Sequence, residues 1–148
     1  MSAKKSAHCF ERELLEGMLS TATKLASGEA VPEGLQTALH ELALAIQHGW
    51  YQERFNRLAA EWKRDTYLSS KIKDKVVHLA YQKIIGMGPA AIPYILKDMS
   101  ENGPNHWFWA LHAITEDNPV PNDQRGNVVA MTEAWLQWGR EKGYLKDS

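Results

Sequence analysis

"KVVHLAYQKIIGMGPAAIPYILKDM", residues 75–99, decides the fold class. Its second half places Ile92, Ile95, Leu96 and Met99 at i, i+3, i+4 and i+7, a single stripe on a helix and not the alternation of a strand. Just upstream, Ile72, Val76 and Leu79 predict one face of a preceding helix. Between the two stripes, GMGP ends the first helix with glycine and restarts the chain at Pro89. Pro93 fits the second helix because it falls in the first turn, where backbone N–H groups lack intrahelical partners. A reversal this short implies two antiparallel helices. IIGMGPAAI has the glycine content of a phosphate-binding loop, but such loops join a strand to a helix, and this one joins two helices.

The same periodicity runs outward in both directions. Upstream, a helix is expected over about 7–27 on Phe10, Leu14, Met18 and Leu25, with a stop at Ser27-Gly28. A second opens near Pro32, carries Leu35, Leu39, Leu42 and Ile46, and stops at Gly49. A third then buries Phe55, Leu58, Ala59 and Trp62, and DTYLSS reads as a linker closing on an N-cap serine. Downstream, ENGPN breaks the chain before a short helix with Trp107, Ala110, Leu111 and Ile114 inward. EDNPVPND is a loop, and a last helix reaches about Lys142 on Val128, Met131, Trp135 and Trp138, with Gly143 past its end. The expectation is an all-α fold, about seven helices in an antiparallel array. It forms one domain, with residues 1–50 as an N-terminal helical hairpin and 51–148 as the remainder.

Length and composition agree with this. At 148 residues the chain can bury a sizeable core. No apolar run approaches the roughly 18 residues of a membrane span, and the N-terminus has lysines without an apolar stretch behind them, so no signal peptide is read. A cytoplasmic protein is expected. One cysteine, Cys9, excludes an intramolecular disulfide and a Cys-rich zinc site. The net charge is −1, yet residues 51–100 carry nine Lys/Arg against five Asp/Glu. That excess is weaker than in a typical DNA-binding domain.

Residues 71–99, with the glycine turn followed by AAIPYIL, resemble a HEAT-type helical repeat, and 104–142 supply a second, degenerate helix pair. The chain is also similar to a family of small uncharacterised bacterial proteins. They share IIxMGPxAIPxIL, HWFWALxAIT, PVP and WLxWGxxxGY, matched here at Ile84–Leu96, His106–Thr115, Pro119–Pro121 and Trp135–Tyr144. The resemblance implies HEAT-like character in the C-terminal two-thirds and a scaffold that binds proteins or, less often, nucleic acids along one surface. A bacterial accessory role, in a toxin–antitoxin or defence system, would accord with it.

Chemistry-bearing constellations are sparse. His106 and His112 are six residues apart and point in different directions on a helix. His40 and His48 share a face but lack further ligands, so no metal and no cofactor are expected. Cys9 beside His8 has no orienting third group. Glu116-Asp117 borders a loop, where capping or solvation is the expected role. What stands out is aromatic density: six tryptophans exceed what a small core needs, and Trp and Tyr dominate interface energetics. The expected function is therefore a non-catalytic protein–protein interaction module, an antitoxin, immunity or adaptor subunit, contacting its partner through Tyr94, Phe108, Trp109, Trp138 and Tyr144. The N-terminal helices offer a cap or a homodimer interface. The alternative is nucleic-acid binding through Arg54, Arg57, Lys63, Arg64, Lys71, Lys73, Lys75 and Lys83.

Overall fold

The structure is a computed structural model that describes residues 13–20, 22–23, 27–28 and 32–146. Phe10 and Leu25 of the expected first stripe, and His8 and Cys9, lie outside the described residues. Among the described residues the chain is all-α. Residues 13–20 form α1. The rest are α2 (Glu33–Thr66), α3 (Ile72–Val76), α4 (Leu79–Ile85), α5 (Ile92–Asn102), α6 (Phe108–Thr115) and α7 (Val128–Glu141). Short 3₁₀ turns at Gly88–Ala91 and Asn122–Gln124 join them. The chain divides into two compact units, Met1–Gln47 and His48–Ser148.

Among the described residues the total of seven helices agrees with the expectation, but three of the boundaries do not. The helix expected to stop at Gly49 does not stop: α2 is continuous over 34 residues. An interior glycine costs about 1 kcal/mol relative to alanine. Without a following proline, or a left-handed turn to seat it, that penalty does not end a helix. Conversely, the single helix expected across 72–85 is two, α3 and α4, broken at Val77-His78. There the His78 imidazole caps α4 by accepting from the Ala80 N–H at 3.2 Å. The cap turns the α4 inner face to Ala80, Tyr81 and Ile84. It leaves Ile72 and Leu79, expected inside, 60% and 64% exposed. The expected serine N-cap is displaced too, because Lys71 occupies the N-cap of α3.

The GMGP reversal behaves as read. Gly88 supplies φ +64°, which an L-residue resists, and Pro89 and Pro93 sit in first turns. Ile92, Ile95, Leu96 and Met99 are all buried. Helix α5 packs on α7, and α4 packs on α6. The α5–α7 approach is close because Gly139 has no side chain: a Cβ there would lie 2.6 Å from the Leu96 Cδ1. Asn127 caps α7 by accepting from the Ala130 N–H, and Val128, expected inward, is exposed at the helix start.

The core of the larger unit is aromatic. Trp107 is fully buried, with ring centroids 4.5 Å from Trp62, 5.6 Å from Tyr81 and 5.6 Å from Phe55. Tilted and offset contacts of this kind add about 0.5–1.5 kcal/mol each beyond area burial. In the smaller unit, Leu39 and Leu42 are half-buried, whereas Leu35 and Ile46 are exposed.

Candidate functional site

Helix α2 ends where the Thr66 hydroxyl donates back to the Trp62 carbonyl at 2.8 Å. The next residues, Tyr67 and Leu68, are 83% and 93% exposed. They are not slack. The Ser69 N–H donates to the Thr66 carbonyl, and the Ser69 hydroxyl donates to Asp74 at 2.9 Å. The Trp62 indole N–H donates to the Lys75 carbonyl at 2.9 Å, and the Gln82 amide donates to the Val76 carbonyl. Helix α3 is thereby pinned while Ile72, Val77 and Leu79 face solvent. Single exposed apolar residues are ordinary. Five large ones within thirteen residues, Tyr67, Leu68, Ile72, Val77 and Leu79, on a segment whose polar groups are tied to its own framework, are a concentration of exposed apolar side chains. The sequence reading missed this segment by assigning 65–70 to a linker and Ile72 and Leu79 to the core; the adjacent Tyr67-Leu68 in an otherwise polar stretch was the available signal.

The five residues expected to meet a partner are differently placed. Trp109 is 59% exposed on α6, pointing away from the buried Ala110 and Leu111. Phe108 is half-buried against the core. Tyr94 is half-buried, its hydroxyl donating to the His48 carbonyl at 3.1 Å, and its ring packs on Phe55. Trp138 is buried: its indole N–H donates to Asp117 at 2.9 Å, Trp135 meets it edge-on, and Tyr144 stacks on its other side. Trp138 and Tyr144 therefore come together, with Tyr144 forming the outer edge. Asp117, expected to cap or solvate, instead holds that indole in place.

A cleft of about 360 Å³ opens next to the apolar segment, lined by Trp62, Lys63, Thr66, Tyr67, Lys75, Pro104, Asn105 and His106. Its floor is a turn in which two successive non-glycine residues take positive φ, Asn105 at 44° and His106 at 61°. Asparagine tolerates this region, and histidine does so less readily. Such residues cost roughly 1–3 kcal/mol and persist where their surroundings over-determine them. Here the Tyr81 hydroxyl donates to the His106 carbonyl at 2.8 Å and accepts from the Ala110 N–H at 3.0 Å. Asp98 accepts from Asn105, Asn102, the Trp107 indole N–H at 2.6 Å and the Lys63 ammonium at 2.6 and 2.8 Å. Burial alone would raise the Asp98 carboxyl; the hydrogen bonds from Lys63, Trp107 and Asn102, with the Lys63 charge, outweigh it and hold the carboxyl below its usual range. Burial, and then the positive charge of Lys75, hold the His106 imidazole below the ordinary histidine value.

The basic residues divide. Lys63 is engaged by Asp98, and Arg64 by Asp65 at 2.8 Å. The Arg54 guanidinium lies 5.2 Å over the Trp50 ring. Arg57, Lys71, Lys73 and Lys83 are exposed and Lys75 is half-buried in the cleft. Among the histidines, His112 Nδ1 lies 2.9 Å from the Asp117 carbonyl and His48 Nδ1 lies 3.1 Å from the Tyr94 hydroxyl. No group of three or more His, Cys, Asp or Glu among the described residues is arranged to hold a metal ion. No helix among them is long and apolar enough to cross a membrane. Compared with known proteins, the chain matches no family model, no curated protein and no solved structure.

Proposed function

We propose that this chain is a non-catalytic, cytoplasmic α-helical module that binds another protein, as an antitoxin, immunity or adaptor subunit of a larger bacterial complex. The observation that carries the reading is the pinned apolar segment from Tyr67 to Leu79, where five large side chains stand 60–93% exposed. Trp109 adds an aromatic anchor of the type that dominates interface energies. The HEAT-like pattern of 71–99 supports the same reading, since helical scaffolds of that kind present surfaces rather than reacting groups.

Burying a large apolar side chain contributes about 1.5–3 kcal/mol, so five of them, with Trp109, offset much of the roughly 4–15 kcal/mol that association costs. The test is capture of the tagged chain with its partners from a bacterial lysate, with and without nuclease, alongside Leu68→Glu, Ile72→Glu and Trp109→Ala. A stoichiometric protein that survives nuclease and salt, and is lost from the variants while their helicity is unchanged, is the expected result. Capture that disappears with nuclease transfers the function to the exposed cations Arg57, Lys71, Lys73 and Lys83, whose binding would fall steeply with salt. A chain that elutes as a dimer, and as a monomer in the variants, would make the partner a second copy.

A further inference from the structure

We propose that the cleft between the end of α2, α3 and the Pro104–His106 turn is a binding site for a phosphate monoester, held between Lys75 and His106 with the Tyr67 ring at its mouth. Three groups that carry or accept a proton as cations line the cleft, Lys63, Lys75 and His106, and no carboxylate lines it. Lys63 is already neutralised by Asp98, which is not among the cleft-lining residues. Lys75 has no side-chain hydrogen bond or ion pair among the described residues, although its backbone is fixed by the Trp62 indole. Its charge is felt at His106, whose imidazole it disfavours from protonating. One unshielded cation, Lys75, and an imidazole kept neutral by burial and by that charge line the same recess, so an anion bound there pairs with Lys75 and favours a proton on His106. A dianion satisfies both, whereas a carboxylate satisfies one.

Geometry supports the same assignment. The Asn105-His106 turn is kept in positive φ by the Asp98 cluster and by the buried Tyr81 hydroxyl, so the position of His106 is set before any ligand arrives. The volume of about 360 Å³ falls in the range of small-molecule sites and leaves room for the group esterified to the phosphate. Tyr67, 83% exposed, offers that group a ring face.

The charged and titratable groups facing His106 are Lys75 from α3, Lys63 from α2 with its counter-ion Asp98, and the Tyr67 phenol. Because the free imidazole is held low, a bound dianion raises its pKa. Affinity is then greatest near the second phosphate pKa of about 6, and declines as pH rises through the His106 value in the complex.

The experiment is a pH titration of the histidine ring carbon signals by NMR on the full chain, with chloride, inorganic phosphate or phenyl phosphate at matched ionic strength. The expected result is saturable movement of the His106 signal with both phosphates, a raised His106 pKa, and tighter binding of phenyl phosphate. In Lys75→Gln the affinity should fall about tenfold, the worth of one charge-assisted contact. His106→Asn, which tolerates the turn's backbone, should lose binding as read by phenyl phosphate line broadening. Displacement of phenyl phosphate by a phosphotyrosyl peptide would assign the ester to a partner protein, and displacement by a mononucleotide alone would assign it to a metabolite. A His106 signal that responds equally to chloride, or an unchanged affinity in a folded Lys75→Gln, overturns the proposal.

Discussion

Replacing Asp98 by alanine should be the most damaging polar substitution in the larger unit. Its carboxylate is only 11% exposed and receives hydrogen bonds from Lys63, Trp107, Asn102 and Asn105. The decisive loss is at Trp107, whose residue is fully buried and whose indole N–H would be left without an acceptor. A stranded buried donor costs about 1–3 kcal/mol. Lys63 is about a third exposed, so water compensates for most of its loss, adding roughly 0–1 kcal/mol. The total is about 1–4 kcal/mol, which with a urea m-value of about 2 kcal/mol/M lowers the unfolding midpoint by about 0.5–2 M. Urea titration followed by far-UV circular dichroism measures it. A double-mutant cycle isolates the cause: Trp107→Phe deletes the donor, so in the Asp98→Ala background its cost should shrink by about 1 kcal/mol or more. Strict additivity, or a loss under about 0.5 kcal/mol, refutes the reasoning. The same carboxyl has an acid signature. Its folded pKa lies below the unfolded value of about 3.9, so its stabilisation is present above that value and is lost as pH falls through the folded pKa. Asp98→Asn should flatten this acid limb.

Three further outcomes follow from the packing. Gly139→Ala should destabilise by about 1–3 kcal/mol, because Leu96 is fully buried and has nowhere to retreat from the new methyl; adding Leu96→Val should restore part of the loss in the same urea assay. Gly49→Ala should stabilise by about 0.5–1 kcal/mol and increase helicity if α2 is unbroken there, since nothing lies within 4 Å of the new Cβ; destabilisation would mean that the helix ends at Gly49. Tyr81→Phe should cost about 1–3 kcal/mol by leaving the Ala110 N–H and the His106 carbonyl without their hydroxyl partner. In the parent, burial pushes the Tyr81 phenol well above its usual value, so its stabilisation is complete below about pH 10 and is lost above it. Its phenolate absorbance should emerge only with alkaline unfolding.

Periodicity in the sequence was sufficient to identify the helices of the larger unit wherever the stripe was buried: Phe55 to Trp62, Ile92 to Met99 and Trp107 to Leu111 all face the core. It failed where local capping outweighed it. Nothing in a residue ranking marks His78 as an N-cap, yet that imidazole rotates the inner face of α4 away from the Ile72–Leu79 stripe. Gly49 failed for the opposite reason, a helix-breaking residue with no second signal beside it. Trp109 was legible as exposed, because helical spacing sets it apart from Trp107, Leu111 and Ile114. Trp138 falls both on the inward stripe of the last helix and among the expected partner contacts; it is buried as the stripe implies, and its pairing with Asp117 and Tyr144 was not legible because only the folded chain brings those residues around it. The cleft was the least legible feature. It depends on left-handed backbone at Asn105 and His106, and on contacts from Lys63 and Tyr81 far along the chain.

The distribution of the six tryptophans makes the molecule its own optical reporter. Trp62, Trp107, Trp135 and Trp138 are shielded, while Trp50 and Trp109 are more than half exposed. Emission at long wavelength should therefore come from only two indoles, and acrylamide should quench those two first. The Trp62–Trp107 centroid spacing of 4.5 Å also brings two indole transitions close enough to couple, giving a near-UV dichroic couplet that lasts only while the core is intact. A partner that covers Trp109 would shift the emission to the blue and leave the couplet unchanged. Label-free spectroscopy on the unmodified chain can thus separate docking from unfolding within a single titration.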